Sequence, residues 1–314
     1  MTHPLTFGLD VGVYGALATR HHILALAALA EQSDFTTIWV ADHVIFPAQF
    51  TSRYPYNATG QFPVNMTQEP LMEPVATMAV LVGKTQHVRI GASVLVMPYR
   101  NPVLLGRMLV TLDQLSGGRM ILGAGVGWLA EEFSALNARD YAARGAVTDE
   151  CLEIIRRLCV GGEVSFQGTH YQLAPVISSP GSLQRPHIPI LIGGTTRHAL
   201  NRTARFGNGW ISTDMRPDRL QQRLATLRTL CEQYGKDFDK LTLTHKVFIH
   251  IGQSRRDSSG ERAIGTGSVT EITDDLQRLA DIGYHHIIIR FRDGDAEQQD
   301  TQLRIFIDDI MPRF

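Results

Sequence analysis

An apolar run, Trp39-Val40-Ala41, ends abruptly in Asp42-His43. Imidazole changes charge close to neutral pH, so a histidine at a strand end can take a proton from a bound reactant or give one to it. The dipeptide alone reads first as a capping or loop-fixing pair, because adjacent residues on a strand point in different directions. In Gly91-Ala92-Ser93-Val94-Leu95-Val96 small residues interrupt a β-branched run, which suits a planar ligand approaching the backbone or a helix packing closely. Gly123-x-Gly125-x-Gly127-Trp128 lacks the G-x-G-x-x-G spacing of a dinucleotide fingerprint and reads as a glycine-rich strand end with Trp128 available as a wall. Ile190-Leu191-Ile192-Gly193-Gly194-Thr195-Thr196 runs from a buried strand into a helical segment, Arg197 to Phe206. Free backbone N–H groups at such a helix start suit a phosphate, and either threonine could equally cap the helix.

Other chemistries have little to stand on. The histidines include His21-His22 and His285-His286, but there is no H-E-x-x-H or C-x-x-C, so no metal site is expected. Gly-x-Ser-x-Gly is absent. Cys151, Cys159 and Cys231 lie in apolar helical stripes and are expected in the core. Lys246, inside a strand, is the one lysine to weigh as a Schiff-base former in an aldolase-like barrel.

These residues must be positioned by regular elements, and the pattern supplies eight strand-helix pairs. The strands are expected at Thr6–Asp10, Thr37–Ala41, Val88–Val96, Arg119–Ala124, Pro189–Gly193, Gly209–Thr213, Leu241–Ile251 and His285–Arg290. Most are too apolar to have a solvated face, as buried parallel strands are. After Pro102, a stripe of Leu104, Leu105, Met108, Leu109, Leu112 and Leu115 makes a helix that Gly117-Gly118 ends. Pro217 opens another, and Ser268-x-x-Glu271 reads as a capping box for a third. The order predicts an α/β fold, a (β/α)₈ TIM barrel in one domain over residues 1–314, with a doubly wound sheet as the alternative. Residues 44–70, 161–186 and 252–267 fit no unit and are expected as insertions; the first and third follow strands directly, at the C-terminal face where barrel sites are built.

With 30 basic and 31 acidic residues the net charge is −1 on a chain that is 44% hydrophobic. That balance argues against a nucleic-acid or anionic-membrane binder. The longest apolar runs fall far short of the ~20 residues that span a bilayer, and the start lacks a leader pattern, so a cytoplasmic protein acting on a small molecule is expected.

Taken together, Ile38-Trp-Val-Ala-Asp-His43, Arg89-Ile-Gly-Ala-Ser-Val-Leu-Val-Met-Pro-Tyr-Arg-Asn-Pro102, Thr111-Leu-Asp-Gln-Leu-Ser-Gly-Gly-Arg119, Leu122-Gly-Ala-Gly-Val-Gly-Trp128, Glu132-Phe133, Pro189-Ile-Leu-Ile-Gly-Gly194 and Gly207-Asn-Gly-Trp210 resemble the luciferase-like monooxygenase superfamily, and within it the coenzyme F420-dependent oxidoreductase branch. The likeness is collinear from about Phe7 to Trp210 and weaker beyond, to Arg292.

The resemblance implies a barrel that binds F420, or alternatively FMN, at its C-terminal face. A bulge with a non-proline cis peptide at Ser93-Val94 would back the ring. Gly125, Gly127 and Trp128 would line it, and Gly193, Gly194 and Thr195 would hold the cofactor phosphate. Asp42 would lie at the cofactor, and His43 beside the reactive ring as the catalytic proton-transfer group. Two positions depart from the usual pattern: Gly91-Ala92-Ser93-Val94 replaces Gly-Thr-Gly-Val, and Asn208 replaces an aspartate expected to be structural. The implied activity is hydride transfer between reduced F420 or FMN and a small organic substrate. The alternatives are a two-component FMNH2-dependent monooxygenase fed by a partner reductase and a non-catalytic flavin-binding barrel. Arg53, Arg100 and Arg197 are candidates to meet the oligoglutamate tail of F420. Phe46, Phe50, Tyr54, Tyr56 and Phe62 would form a partly apolar lid, and a homodimer through outer helices is expected.

Overall fold

The computed structural model describes residues 4–56, 59–62, 68–213, 215–257, 260–291 and 294–314. Parts of the first and third insertions, and Arg292 at the end of the family likeness, lie outside the described residues.

Eight parallel strands form the barrel: β1 (Thr6–Asp10), β2 (Phe35–Val40), β3 (Arg89–Ala92), β4 (Met120–Gly125), β5 (Ile190–Gly193), β6 (Gly209–Thr213), β7 (Thr242–Ile251) and β8 (His286–Phe291). Each pairs with the next, and β8 pairs with β1 through Gly8↔Ile288, so the sheet closes. Closure excludes the doubly wound alternative. All eight predicted strands are present, with boundaries within about two residues except at the third. Arg89–Ala92 and Leu95–Val96 are separate pairings, joined by Ser93 and Val94 across a cis peptide bond. The bulge thus sits where the family likeness puts it.

Inside the barrel, Trp39, Ile121, Leu191, Ile211 and Ile288 pack into one apolar layer, and Val94 lies against it from above. Below it, the neutral His286 ring is satisfied by Thr6, Thr37 and the Trp39 indole. Burial lowers the His286 pKa to about 3.

The outer helices are α1 (Arg20–Gln32), α2 (Pro74–Lys84), α3 (Pro102–Leu115), α4 (Ala130–Ala135), α5 (Arg144–Val160), α6 (Arg197–Phe206), α7 (Pro217–Gln233), α8 (Val269–Asp281) and α9 (Ala296–Ile305). Their punctuation follows the sequence: Pro217 opens α7, and Ser268 with Glu271 makes the capping box of α8. The α3 stripe divides into two faces. Leu105, Leu109 and Leu112 are buried under the helix, whereas Leu104, Met108 and Leu115 are 56%, 38% and 73% exposed. The 161–186 insertion is an antiparallel hairpin, Gly162–Gln167 with Gln172–Ser178. Its Val164 and Phe166 pack on Ile154 and Leu158 of α5, so it buttresses the helical flank. In the third insertion Thr266–Gly267 extends the sheet beside the end of β7. The three cysteines are buried and unpaired, and burial pushes the Cys151 and Cys159 thiols up to about 12 and 11.

Candidate active site

The residues singled out from the sequence, from Asp42 and His43 through Ser93, Val94 and the Gly125–Trp128 stretch to Gly193–Thr195, all line one cavity of about 900 Å³. Its floor is Val94. A Cβ on Gly125 would lie 2.4 Å from one Val94 methyl and a Cβ on Gly193 2.6 Å from the other. Both glycines are needed because the bulge drives a branched side chain between β4 and β5. Beneath, the Ser93 hydroxyl meets the Lys246 ammonium at 3.2 Å. Lys246 is ion-paired with the fully buried Asp10, which Arg290 also approaches. Burial alone would raise the Asp10 pKa, but the charges of Lys246 and Arg290 hold it below the ordinary carboxylate value. Lys246 is committed to this cluster, and a Schiff-base role falls away.

At the mouth of β2 the two residues of the Asp-His pair face different partners. Asp42 accepts hydrogen bonds from the Val96 N–H at 2.7 Å and from both terminal nitrogens of Arg100, at 2.7 and 3.0 Å. It therefore ties the second leg of the bulge to the β2 end. Arg100 also pairs with Glu73, and although burial opposes its charge, these two acids hold it above its ordinary pKa. This corrects the expectation that Arg100 waits on the rim for a cofactor tail. Arg197 is exposed at the start of α6 and outside the cavity, and Arg53 lines it while donating to the Thr59 carbonyl.

His43 is 4% exposed and boxed by aromatic rings: Phe46 at 4.9 Å, Phe62 at 5.2 Å, Tyr14 at 5.8 Å and Trp128 at 6.1 Å between centroids. Trp128 stacks on Phe62 and meets Tyr54 edge-on, which joins the lid to the glycine-rich strand end. Of the expected lid residues, Tyr54, Tyr56 and Phe62 line the cavity, Phe46 packs on His43, and Phe50 is 37% exposed away from it. Nδ1 of His43 lies 2.7 Å from Oε2 of Glu132, within hydrogen-bond distance. In the sequence Glu132 stands only as part of the family-like Glu132-Phe133 pair, with no role attached to it. Its neighbour Glu131 accepts from the Thr51 and Ser52 amides, and despite some desolvation these bonds lower its pKa to about 2. Helix α4 therefore pins two points of the first insertion.

The far end of the cavity is the start of α6. Gly194 has φ +109°, its N–H donates to Ile211, and its carbonyl accepts from the Trp210 indole at 2.7 Å. Thr196 caps α6 by accepting from the Ala199 N–H, and Thr195 lines the cavity. Asn208 accepts from the Ile190 N–H, which serves the structural part expected of an aspartate there. Beyond the turn stand Arg144, Arg202 and Arg205, against one carboxylate, Asp149, which pairs with the last two. Two polar atoms in this lining, Arg144 Nε and Asn201 Oδ1, are buried without a protein partner. Sequence reading missed this cluster because its members come from α5 and α6, with about 50 residues between them.

The chain matches the family described as luciferase-like monooxygenase over residues 5–286. It is 24% identical over 359 residues to an F420-dependent glucose-6-phosphate dehydrogenase from Microbacterium testaceum, covering 100% of this chain and 98% of that protein. It is 27% identical over 191 residues to an FMNH(2)-dependent dimethylsulfone monooxygenase from Pseudomonas putida, covering 60% of this chain and 47% of that one. The fold is shared with a solved F420-dependent secondary alcohol dehydrogenase in complex with an F420-acetone adduct, at a TM-score of 0.79, 16% identity and 98% coverage of each chain. With the closed barrel and the matched region extending across nearly all of it, the chain belongs to the luciferase-like monooxygenase family.

Proposed function

We propose that this barrel is an F420-dependent oxidoreductase that passes a hydride between the deazaflavin and a small organic substrate. The observation that carries the reading is the length and charge of the cavity: it runs from Val94 and His43, past the Gly193–Thr195 turn, to Arg144, Arg202 and Arg205. A phosphate suits the backbone N–H groups at the α6 start. The guanidinium groups of Arg144, Arg202 and Arg205 in the lining suit a long, anionic tail, which FMN lacks. Bound there, the deazaflavin would supply the hydride chemistry, while the protein orients it and moves the proton through His43. We place the protein in the cytoplasm, where three free buried thiols are at home. Among the described residues no helix is long and apolar enough to cross a membrane.

We also propose a homodimer through α2 and α3. Of the outward residues of α2, Ala76, Ala79, Val80 and Gly83 carry no charge and Lys84 closes the helix, and α3, which packs against α2, exposes Leu104, Met108 and Leu115. A surface helix that is apolar on both faces is normally covered.

The test is turnover under two regimes. Incubation without oxygen with F420 and a panel of alcohols and carbonyl compounds is expected to change the deazaflavin redox state. Substrate-coupled oxygen consumption with FMN and a flavin reductase, and none of the former, would make the protein a two-component monooxygenase instead.

A further inference from the structure

We propose that Glu132 is a positioning residue that fixes the His43 ring in one tautomer, with Nδ1 protonated and Nε2 a bare proton acceptor facing the cavity. The inference rests on the proton-transfer role given to His43 in the proposed function.

Glu132 is fully buried, and its two oxygens divide their work. Oε1 accepts from the backbone N–H groups of Val44 at 2.7 Å and Ile45 at 3.2 Å. Oε2 accepts from the Tyr99 hydroxyl at 2.9 Å and lies 2.7 Å from His43 Nδ1. Two of these donors are amides, which cannot reverse. The third, the Tyr99 phenol, keeps its proton because burial and the neighbouring Glu132 carboxylate push its pKa well above the ordinary value. Each oxygen is thus an acceptor twice over, and the group on the imidazole side must be N–H. A neutral imidazole with hydrogen on Nδ1 has a lone pair on Nε2.

Anchoring the lid alone does not explain this arrangement. Glu131 performs that task for Thr51 and Ser52 with a single oxygen and no histidine. Oε1 of Glu132 does the same for Val44 and Ile45, which leaves Oε2 for His43 and Tyr99. The rings around His43 fix its plane, and among the described residues none offers Nε2 a hydrogen bond. A carboxylate behind a histidine sets tautomer and orientation and stabilises the imidazolium once a proton arrives.

The experiment is long-range ¹H–¹⁵N NMR of the whole protein labelled at histidine, for wild type and Glu132→Gln. Glutamine keeps an acceptor for the Val44 and Ile45 amides, and this turns its NH₂ toward His43. Nδ1 must then accept, and the proton moves to Nε2. The expected result is a His43 signal protonated at Nδ1 in wild type and at Nε2 in the variant. In turnover assays the variant is expected to lose about 10²- to 10⁴-fold in kcat, with KM and F420 affinity changed by less than about twofold. A wild-type ring protonated at Nε2, or the same tautomer in both proteins, overturns the proposal. Should Glu132→Gln fail to fold, the wild-type tautomer alone decides. A His43→Ala protein with full turnover would remove the reading of the site but leave the tautomer result intact, so the two failures are distinguishable.

Discussion

Asp42 and His43 are neighbours in the chain, yet their side chains serve different structures. Asp42 turns to Arg100 and the Val96 amide, and so braces the bulge; His43 turns to Glu132 and the cavity. The expectation that adjacent residues at a strand end diverge was legible in the dipeptide. Their partners were not, because Arg100 lies 58 residues from Asp42 and Glu132 lies 89 from His43. Contacts of that separation are made by barrel closure, not by local pattern. At this scale the expected outcome for His43→Ala is a fall in kcat of about 10²- to 10⁴-fold, the usual worth of a positioned acid or base. Cofactor binding should survive, since the ring contributes one wall among several. Steady-state kinetics with parallel cofactor titration checks both; unchanged kcat would remove His43 from the reaction.

Among the elements, the strands were legible because each is a short apolar run between glycines and polar turns. The β-branched content of Val88–Val96 predicts one strand there, and the family likeness alone locates its interruption at Ser93-Val94. The leucine spacing of α3 predicts one apolar stripe and does not say which side meets the barrel. Geometry assigns Leu105, Leu109 and Leu112 inward and leaves Leu104, Met108 and Leu115 outward. If the outward face is the dimer contact, a paired Leu104→Asp and Leu115→Asp substitution should yield monomers with the barrel intact. Sedimentation velocity with circular dichroism reads this directly. A wild-type monomer, or a variant dimer, contradicts it.

For the molecule as a whole, barrel closure puts neutral histidines and an ion-paired aspartate in the interior, and this sets its response to acid. His245 is held by Ser212 beside Tyr284, and burial lowers its pKa to about 3, as it does for His286. Both exclude a proton that the unfolded chain binds below its ordinary value near 6.5. Their contribution to stability is therefore complete above about pH 6.5 and declines as pH falls toward 3. Asp10 has the opposite chemistry and the same sign: its depressed pKa contributes stability above the ordinary carboxylate value of 3.8 and loses it only at lower pH. Urea unfolding midpoints are expected to fall between pH 7 and pH 5, before Asp10 titrates; a midpoint equal or higher at pH 5 would contradict the buried-histidine account.

The central claim, that the cavity is built for a deazaflavin with an anionic tail, is tested most directly by calorimetric titration of the purified protein with F420 and with FMN, using Gly193→Trp as a control with the turn blocked. The account expects F420 to bind at least about tenfold more tightly than FMN, about 1.4 kcal/mol, with Arg144→Ala weakening F420 more than FMN and Gly193→Trp abolishing both. Tighter binding of FMN, with no effect of Arg144, would contradict it.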